Sequence, residues 1–549
     1  MKNSKRYCIG IDTGGTYTDA VIVEADTGNV VATAKSPTTH YDIQKGIQAV
    51  IEKVLAVSQV AASDIIKTSV STTLATNALV ENKGADVALF VIGFNQRLEV
   101  PAVAARFVPG GHTIKGDEVE PLGIQYIVDG VNELKKDVEA WAVCSSMAFM
   151  NPVHELVAAK AVKLVSDAPV FCSHEASSKA GMKERASTAC LNAQLLPVMQ
   201  KFLSGISNAL SECGISGEVL VVRGDATAMQ MQEALTHAAS TIASGPAATA
   251  LFGAKRTNST HALILDVGGT TTDITLIKDG NPVIDTAGMS IGKWETHVEA
   301  VEMFTVGVGG DSLVQLSQGK PMTVGPARVT PVCMARAIPA PDEWIGQGRL
   351  SRCISMAPDI SQDTINASAI LSCLKEYGSM TPSALLEQLG IAEITFEQDL
   401  TKLLHKQYVH EIGFTPTDAL HVLGKLTIGN SKYAQQAAKK LAIIDGCSEK
   451  EFAQKVLTNA ERTIEETVLK HLSKREIGGN LASYLTSRER HQLLEISVSL
   501  NVPMIGIGAA APYLLTNVAK RLNTTICFPE HYSVGNALGS VFMAERNCL

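Results

Sequence analysis

The N-terminal region reads Ile9-Gly10-Ile11-Asp12-Thr13-Gly14-Gly15-Thr16-Tyr17-Thr18-Asp19-Ala20-Val21-Ile22-Val23, and its pattern recurs as Leu263-Ile264-Leu265-Asp266-Val267-Gly268-Gly269-Thr270-Thr271-Thr272-Asp273-Ile274-Thr275-Leu276-Ile277. At a fixed offset of 254 residues, from 12 to 266, Asp, Gly, Gly, Thr, Thr and Asp occur in the same order. Each copy predicts a strand, a tight Asp-x-Gly-Gly-Thr turn and a second strand, because β-branched residues flank the glycines. We therefore expect a duplicated hairpin around which the rest of the chain is built.

The residue types in these turns suit a bound phosphate. Glycines let backbone N–H groups approach an anion closely, and threonines add hydroxyl donors. A leading aspartate can hold a hydrated divalent cation. The two copies thus predict a phosphate clamp in which the aspartates are Asp12 and Asp266 and the remaining members are Thr13, Gly14, Gly15, Thr16, Gly268, Gly269 and Thr270.

Length and composition indicate a well-buried α/β protein. The chain has 549 residues, which is more than one core usually supports, so two or more domains are expected. A boundary near residue 258 predicts domains at 1–258 and 259–549. Hydrophobic residues make up 46% of the chain and charged residues 19%, and the net charge of −8 argues against a general affinity for nucleic acid.

The cysteines and the apolar runs predict a cytoplasmic protein. Eleven cysteines are scattered singly without a C-x-x-C pair, as in reduced thiols of a cytosolic chain. No His, Cys or Asp cluster has metal-ligand spacing, so a zinc hydrolase is not expected. Asp12 interrupts the N-terminal apolar stretch before a signal peptide could form, and no run approaches the ~20 apolar residues of a membrane span.

Short apolar strands alternate with helical patterns through the first half of the chain, which predicts a mostly parallel sheet. Ile43 to Val57 has the spacing of an amphipathic helix, and Val87–Ile92 reads as a buried strand. The hydroxyl-rich stretch 68–76 lies where a strand leads into a helix, and it suits either a bound anion or plain helix capping. His112 and Asp117 lie in a loop, where a lone histidine is more often solvated than catalytic.

Two further glycine turns complete the pattern. The stretch 304–313 contains Gly309 and Gly310 and is interpreted as a glycine turn before a helix. Another turn, at 504–512, contains Gly506, Gly508 and Ala509. Between about 335 and 500 glycine turns are rare and helical patterns dominate. Within that region, 369–426 has the order of a winged-helix unit, but its last helix has few basic residues, so a helical insertion is favoured over DNA reading.

These turns together resemble the actin, Hsp70 and sugar-kinase superfamily. The resemblance implies a duplicated, ribonuclease H-like α/β fold of two lobes, with ATP between them and a mainly helical insertion in the second lobe. It also implies that Asp12 to Thr16 is the first phosphate loop and Asp266 to Thr270 the second. By the same resemblance, Ile505 to Pro512 is similar to the adenosine loop, and Val534 to Ser540 looks like the last connecting helix.

More narrowly, the motifs resemble the hydantoinase A / 5-oxoprolinase / acetone carboxylase β-subunit family. The stretches that carry this resemblance are 10–19, 71–78, 244–248, 266–273, 305–312 and 417–424. It places a hydantoinase/oxoprolinase N-terminal-like region at about 1–180. The chain departs from the family pattern at Asp311, where a third glycine is usual, and at Ala509 to Ala511, where the family has Gly-Ala-Gly.

The family resemblance implies an ATP-hydrolysing hydrolase acting on C–N bonds of cyclic amides. ATP phosphorylates the carbonyl oxygen of a lactam such as hydantoin or 5-oxoproline, with a separate B-type subunit completing the reaction in a hetero-oligomer. Asp12 or Asp266 would orient the attacking oxygen, and both would lie near Mg²⁺ through water. Two alternatives on the same fold are a small-molecule kinase and a non-catalytic, nucleotide-switched protein like Hsp70.

Overall fold

The computed structural model describes residues 6–15, 17–39, 43–80, 83–316, 321–346, 352–358, 360–476 and 497–546. The chain forms two compact units. Unit 1 comprises Met1–Thr260, Thr275–Glu302 and Val534–Leu549, and unit 2 comprises His261–Ile274 and Met303–Ser533. Both contain sheets and helices. The domain limits proposed from the sequence, with their boundary at residue 258, stay a prediction.

The first predicted hairpin lies inside the main sheet of unit 1. Strand Tyr7–Thr13 pairs antiparallel with Tyr17–Glu24 and parallel with Ile65–Thr72. In this register Asp12 lies opposite Asp19 on one side and beside Ser71 on the other. Among the described residues the sheet has six strands, in the order Ala228–Gln230, Glu218–Val222, Ile65–Thr72, Tyr7–Thr13, Tyr17–Glu24 and Val30–Pro37.

A second sheet of unit 1 is parallel throughout. Its two central strands, Val87–Ile92 and Ala140–Ser145, are buried along their whole length, as expected where helices cover a parallel sheet. The ring of Trp141 stacks on Phe90 at 5.5 Å between centroids. The strand order is Ala104–Val108, Val87–Ile92, Ala140–Ser145 and Val170–Cys172.

Short antiparallel pairs follow later in the chain. Ile284–Asp285 pairs with Ala300–Val301, Ser290–Ile291 pairs with Trp294–Glu295, and Asn281–Pro282 pairs with Thr272–Lys278.

The predicted helix at 43–57 is confirmed as Ile43–Ser58, and its predicted apolar face is buried at Ile47, Val50, Ile51 and Val54. A long helix, Met182–Glu212, contains Pro197 in its interior. The other helices of unit 1 are Leu74–Val80, Ile124–Leu134, Val153–Lys163, Ser173–Ala176, Met231–Ala234, Ser244–Lys255 and Gly535–Arg546, with short 3-10 turns at Ala62–Asp64 and Ala238–Thr241.

The second predicted hairpin pairs the strand Ala262–Val267, which belongs to unit 2, with Thr272–Lys278. Strand Ala262–Val267 pairs parallel with Met504–Ile507, which in turn pairs with Ile526–Cys527. Met303–Val306 pairs with Thr272–Lys278. The glycine turn after it leads into the strand Ser312–Gln315, paired with Thr323–Arg328, so the predicted helix at this point is wrong. A three-stranded sheet has the order Thr330–Pro331, Val409–Gly413 and Arg352–Met356.

The predicted helical character of the later chain is confirmed in its described part. Helices Ala369–Tyr377, Pro382–Leu389 and Glu393–His405 pack around a core that includes Leu371, Leu385 and Phe396, next to the strand Val409–Gly413. The last of these helices carries Glu393, Glu397 and Asp399, which fits poorly with a DNA-reading role. The remaining helices of unit 2 are Pro341–Trp344, Gln362–Asn366, Pro416–Val422, Ser431–Asp445, Glu449–Glu476 and Ala511–Arg521, with 3-10 turns at Val332–Met334 and Tyr532–Val534.

Within the described ranges, no helix combines the length and the apolar character needed to cross a bilayer. The ten described cysteines are all free thiols, as the sequence predicted. Most are buried, and burial raises the pKa of the Cys144 thiol to about 12.

Candidate active site

The first phosphate loop begins at the buried carboxylate of Asp12, which is 4% exposed at the end of strand Tyr7–Thr13. The hydroxyl of Ser71, its neighbour on the parallel strand, donates to Oδ1 at 2.6 Å. The side-chain amide of Asn536 donates to Oδ2 at 3.4 Å. Each carboxylate oxygen therefore has its own donor, and these two donors hold Asp12 in one orientation.

The turn after Asp12 is fixed through its backbone. The N–H of Gly14 donates to the carbonyl of Tyr17 at 3.1 Å, and Thr38 donates its hydroxyl to the carbonyl of Gly14 at 2.9 Å. The hydroxyl of Thr13 is buried and has no hydrogen-bond partner among the described residues. Gly15 belongs to the same turn, whereas the predicted loop residue Thr16 lies outside the described residues.

Small residues bring the last helix of unit 1 up to this loop. A Cβ on Gly539 would lie 2.0 Å from the carbonyl oxygen of Ala248, so helix Gly535–Arg546 touches helix Ser244–Lys255 backbone to backbone. Next to it, Thr249 donates its hydroxyl to the side-chain carbonyl of Asn536. This close approach places the Asn536 amide at the Asp12 carboxylate.

The hydroxyl-rich stretch 68–76 supports the loop from the parallel strand. Ser71 bonds to Asp12, and the hydroxyl of Thr72 accepts a hydrogen bond from the N–H of Leu74 at 3.1 Å, where helix Leu74–Val80 begins. The N–H of Thr73 donates to the carbonyl of Thr13 at 3.1 Å. Capping and support of the loop account for these contacts, so this stretch provides no separate argument for a bound anion.

The second phosphate loop repeats the first in atomic detail. The N–H of Gly268 donates to the carbonyl of Thr271 at 2.9 Å, and these positions correspond to Gly14 and Tyr17 at the same offset. Asp266 leads the loop and pairs in register with Ile507 of the parallel strand. The sequence repeat therefore corresponds to a repeat of the turn itself.

The glycine turn at Gly309 and Gly310 is hydrogen-bonded to one side of the second loop. The N–H of Gly310 donates to the carbonyl of Gly268 at 3.0 Å, and the N–H of Asp311 donates to the carbonyl of Gly269 at 2.7 Å. In a planar trans peptide the C=O and N–H bonds point in opposite directions. The two bonds therefore turn the N–H groups of Gly269 and Thr270 away from the glycine turn.

Those two N–H groups are consecutive donors. In the described part of the chain, no protein group accepts a hydrogen bond from the N–H of Gly269 or Thr270. Consecutive backbone N–H groups that face the same side form a concave site for an anion. The second loop therefore offers two backbone donors side by side.

The late turn also reaches the second loop. Gly508 has φ of +91°, and a Cβ there would lie 2.3 Å from the carbonyl oxygen of Val267 and 2.8 Å from Oδ1 of Asp266. Gly506 faces the ring of Phe528, and Ala509 lies between Gly508 and helix Ala511–Arg521. Unit 2 therefore brings together the predicted residues of the second loop, the glycine turn and the late turn.

Two equivalent carboxylates differ between the copies, which sequence reasoning missed. Asp19 forms an ion pair with Lys35 of the neighbouring strand at 2.6 Å. Its counterpart Asp273 accepts the hydroxyl of Thr305 at 2.6 Å. Desolvation, together with the nearby charge of Asp266, raises the pKa of Asp273 to about 7. In the second copy, this carboxyl therefore changes protonation near neutral pH.

His112 is placed differently from the expectation. The residue is 6% exposed, and its ring contacts the tilted ring of His154 at 4.2 Å between centroids, so the expected solvated histidine is wrong. Burial and the neighbouring His154 lower the pKa of His112. Asp117 accepts a backbone hydrogen bond from Thr113 within the same loop. Their described contacts lie within this loop and with His154, so they are assigned no part in the phosphate loops.

Comparison with known proteins identifies the class to which this site belongs. The model for the hydantoinase/oxoprolinase N-terminal region matches residues 8–165, and the hydantoinase/oxoprolinase model matches residues 185–545. The chain therefore belongs to the hydantoinase/oxoprolinase family. The family predicted from the motifs is confirmed.

Among its relatives are caprolactamase subunit alpha of Pseudomonas jessenii and 5-oxoprolinase 1 of Arabidopsis thaliana. The first is 27% identical over 373 residues, which is 61% of this chain and 53% of the relative. The second is 28% identical over 397 residues, which is 61% of this chain and 30% of the relative. The chain thus spans about half, or less, of the length of these two relatives.

Two solved structures share the fold. The nucleotide-free acetone carboxylase structure has a TM-score of 0.68 at 19% identity, covering 98% of this chain and 70% of that one. The ATP-dependent caprolactamase of Pseudomonas jessenii has a TM-score of 0.62 at 21% identity, covering 97% and 70%. The predicted α/β fold class is confirmed, and the chain shares its fold with these two structures.

Proposed function

We propose that this chain is the ATP-dependent subunit of an amidohydrolase that activates a cyclic amide for ring opening. The observation that carries the proposal is the repeated loop, in which Gly14 and Gly268 make the same backbone bond directly after an aspartate. Relatives named caprolactamase and 5-oxoprolinase support a lactam as the acceptor. Relatives named as subunits support a separate B-type partner.

The residues present fit the phosphates of ATP. The N–H groups of Gly269 and Thr270 offer two donors on one side, and the buried hydroxyl of Thr13 has no partner among the residues that the structure describes. Phosphate oxygens are acceptors and would satisfy these donors. Gly14, Gly15 and Thr16 would contribute the first loop. The late turn with Gly506, Gly508 and Ala509 would hold the nucleoside.

The carboxylates of Asp12 and Asp266 fit a hydrated Mg²⁺, because hard oxygen ligands and retained waters are what this ion prefers. When bound, Mg²⁺ would neutralise charge on the phosphates during transfer. Ser71 and Asn536 would keep the Asp12 carboxylate oriented toward the metal-bound waters. These assignments to Asp12 and Asp266 are part of the proposal.

The proposed chemical step is a phosphoryl transfer to the amide oxygen. A bond forms between the carbonyl oxygen and the γ-phosphorus while the bond from that phosphorus to the β,γ-bridging oxygen breaks, releasing ADP. Asp266 would orient the attacking oxygen, and the loop N–H groups would stabilise charge on the transferring group. Water then adds to the activated carbon, the C–N bond breaks as the nitrogen takes up a proton, and inorganic phosphate is released, a step that we assign to the B-type subunit.

The test is ATP turnover by the purified chain with hydantoin, 5-oxoproline or caprolactam, with and without a co-expressed B-type subunit. We expect lactam-stimulated ADP formation and ring opening that requires the partner. A stable phosphorylated product would identify a kinase, and slow hydrolysis indifferent to every lactam would identify a nucleotide switch. Ring opening at full rate by the chain alone would contradict the proposed division between subunits.

A further inference from the structure

A chain of hydrogen bonds leads into the second phosphate loop from a helix distant in sequence. Thr417 is the second residue of helix Pro416–Val422. Its hydroxyl and its backbone N–H both donate to the carbonyl oxygen of Gly310, at 2.8 and 3.0 Å. Two donors on one carbonyl fix the direction of the peptide group that joins Gly310 to Asp311.

The orientation of that peptide group also determines the orientation of a peptide group in the second phosphate loop. Its N–H belongs to Asp311 and points away from Thr417, toward the carbonyl of Gly269 at 2.7 Å. The Gly269 carbonyl, fixed in turn, belongs to the peptide group whose N–H is that of Thr270. Three groups therefore align head to tail, from the Thr417 hydroxyl to the Thr270 N–H. Hydrogen bonds in such a chain polarise and strengthen one another.

The start of this chain is anchored in a buried frame. Thr415 and Asp418 form a capping box at the beginning of the helix. The carboxylate of Asp418 also accepts the N–H of Cys333 at 2.8 Å and that of Val332 at 3.1 Å. Asp418 is fully buried, so the position of Thr417 is set by interior contacts.

We propose that Thr417 is a positioning residue for the second phosphate loop. Acting through Gly310 and Asp311, its hydroxyl orients the Thr270 N–H toward a bound phosphate. The inference rests on the proposed function, because it takes the phosphates of ATP as the anion at Gly269 and Thr270. Thr417 itself does not touch the nucleotide.

The variant that isolates this role is Thr417→Val, which removes the hydroxyl but keeps the backbone N–H and the branched shape. Thr417→Ser restores the hydroxyl. A matched control is Thr467→Val, because the Thr467 hydroxyl also donates to a carbonyl, that of Thr463, at 2.8 Å. Both threonines belong to unit 2, and Thr467 lies on helix Glu449–Glu476.

Two measurements give the result: ATP affinity in the presence of Mg²⁺, and amide hydrogen exchange in residues 266–273 of the nucleotide-free chain. We expect Thr417→Val to weaken ATP binding about fivefold, the effect of one lost hydrogen bond, and to speed exchange in that segment. Thr417→Ser and Thr467→Val should behave like the wild type in both measurements.

Three results would overturn the inference alone: wild-type affinity in Thr417→Val, an equal loss in Thr417→Ser, or an equal loss in Thr467→Val. The second would show that the hydroxyl is not the cause, and the third that any such hydroxyl in unit 2 matters as much. A wild-type chain that binds no ATP would overturn the proposed function and this inference with it.

Discussion

Replacing Gly309 with alanine should displace the second phosphate loop. A Cβ at this position would lie 2.5 Å from the carbonyl oxygen of Gly268 and 2.6 Å from that of Gly269. Both oxygens belong to the backbone, so no side-chain rotation can relieve the contact. Ordinary contact begins near 3.4 Å, so the turn and the loop would have to move apart by about 0.9 Å (3.4 minus 2.5).

That separation would strain or break the two hydrogen bonds that tie the turn to the loop. Forced backbone shifts cost about 1–3 kcal/mol, and each lost hydrogen bond adds about 0.5–1.5 kcal/mol. A total of about 3 kcal/mol acting on the phosphate-binding conformation corresponds to about a hundredfold loss of ATP affinity. The N–H groups of Gly269 and Thr270 would no longer be held facing the same side.

The assay is calorimetric titration of ATP with Mg²⁺ into Gly309→Ala, accompanied by thermal unfolding. The matched control is Gly205→Ala in helix Met182–Glu212. A Cβ at Gly205 would lie 3.6 Å from the backbone nitrogen of Gln44, which is an ordinary contact distance. The control should bind like the wild type. If Gly309→Ala binds ATP within about threefold of the wild type, this account of the turn is refuted.

Further predictions concern three carboxylates. Asp266→Asn should lower lactam-stimulated turnover by about a hundredfold or more while ATP still binds, and retained turnover would remove Asp266 from its proposed role. Ser71→Ala removes the 2.6 Å donor to Asp12 and should lower kcat/KM about tenfold or more, with Ser71→Thr as the rescuing variant. Burial raises the pKa of Asp418 from 3.8 to about 6. Because the folded state holds this proton more tightly, its stabilising contribution is full below pH 4 and about 3 kcal/mol is lost as pH rises through 6. Unfolding free energies from pH 4.5 to 7 should therefore fall more in the wild type than in Asp418→Asn, and parallel curves would contradict the shift.

The duplicated loop could be predicted from the sequence because its conformation is local. The same residues at the same offset produced the same bond, from Gly14 to Tyr17 and from Gly268 to Thr271. A turn of this kind is decided by glycines and their immediate neighbours. The chemistry of a bound phosphate was likewise inferred from residue type alone.

Contacts between distant segments could not be predicted in the same way. Asn536 meets Asp12 across 524 residues, and neither residue's neighbours in sequence indicate the other. The stretch after Gly310 has two apolar residues, Leu313 and Val314, and it forms a strand because Thr323–Arg328 pairs with it. Pairing with another strand therefore decides the conformation of this stretch.

Asp19 and Asp273 occupy equivalent positions in the two copies, but their side chains have different partners. Each follows its loop at the same offset, yet one neighbouring strand supplies Lys35 and the other supplies Thr305. A cation stabilises the ionised carboxylate, whereas a hydroxyl only partly offsets the cost of desolvation. The different partners of Asp19 and Asp273 come from the neighbouring strands, which the repeat does not include.

The backbone contact between Gly539 and Ala248 also determines when unit 1 can be completed during synthesis. The strand that ends at Thr13 is made long before the helix that packs beside it, which begins 522 residues later, at Gly535. At about 5–20 residues per second, the interval is about half a minute to two minutes. Throughout that time the strand Tyr7–Thr13 and the helix Ser244–Lys255 lack the helix that packs against both of them in the folded unit.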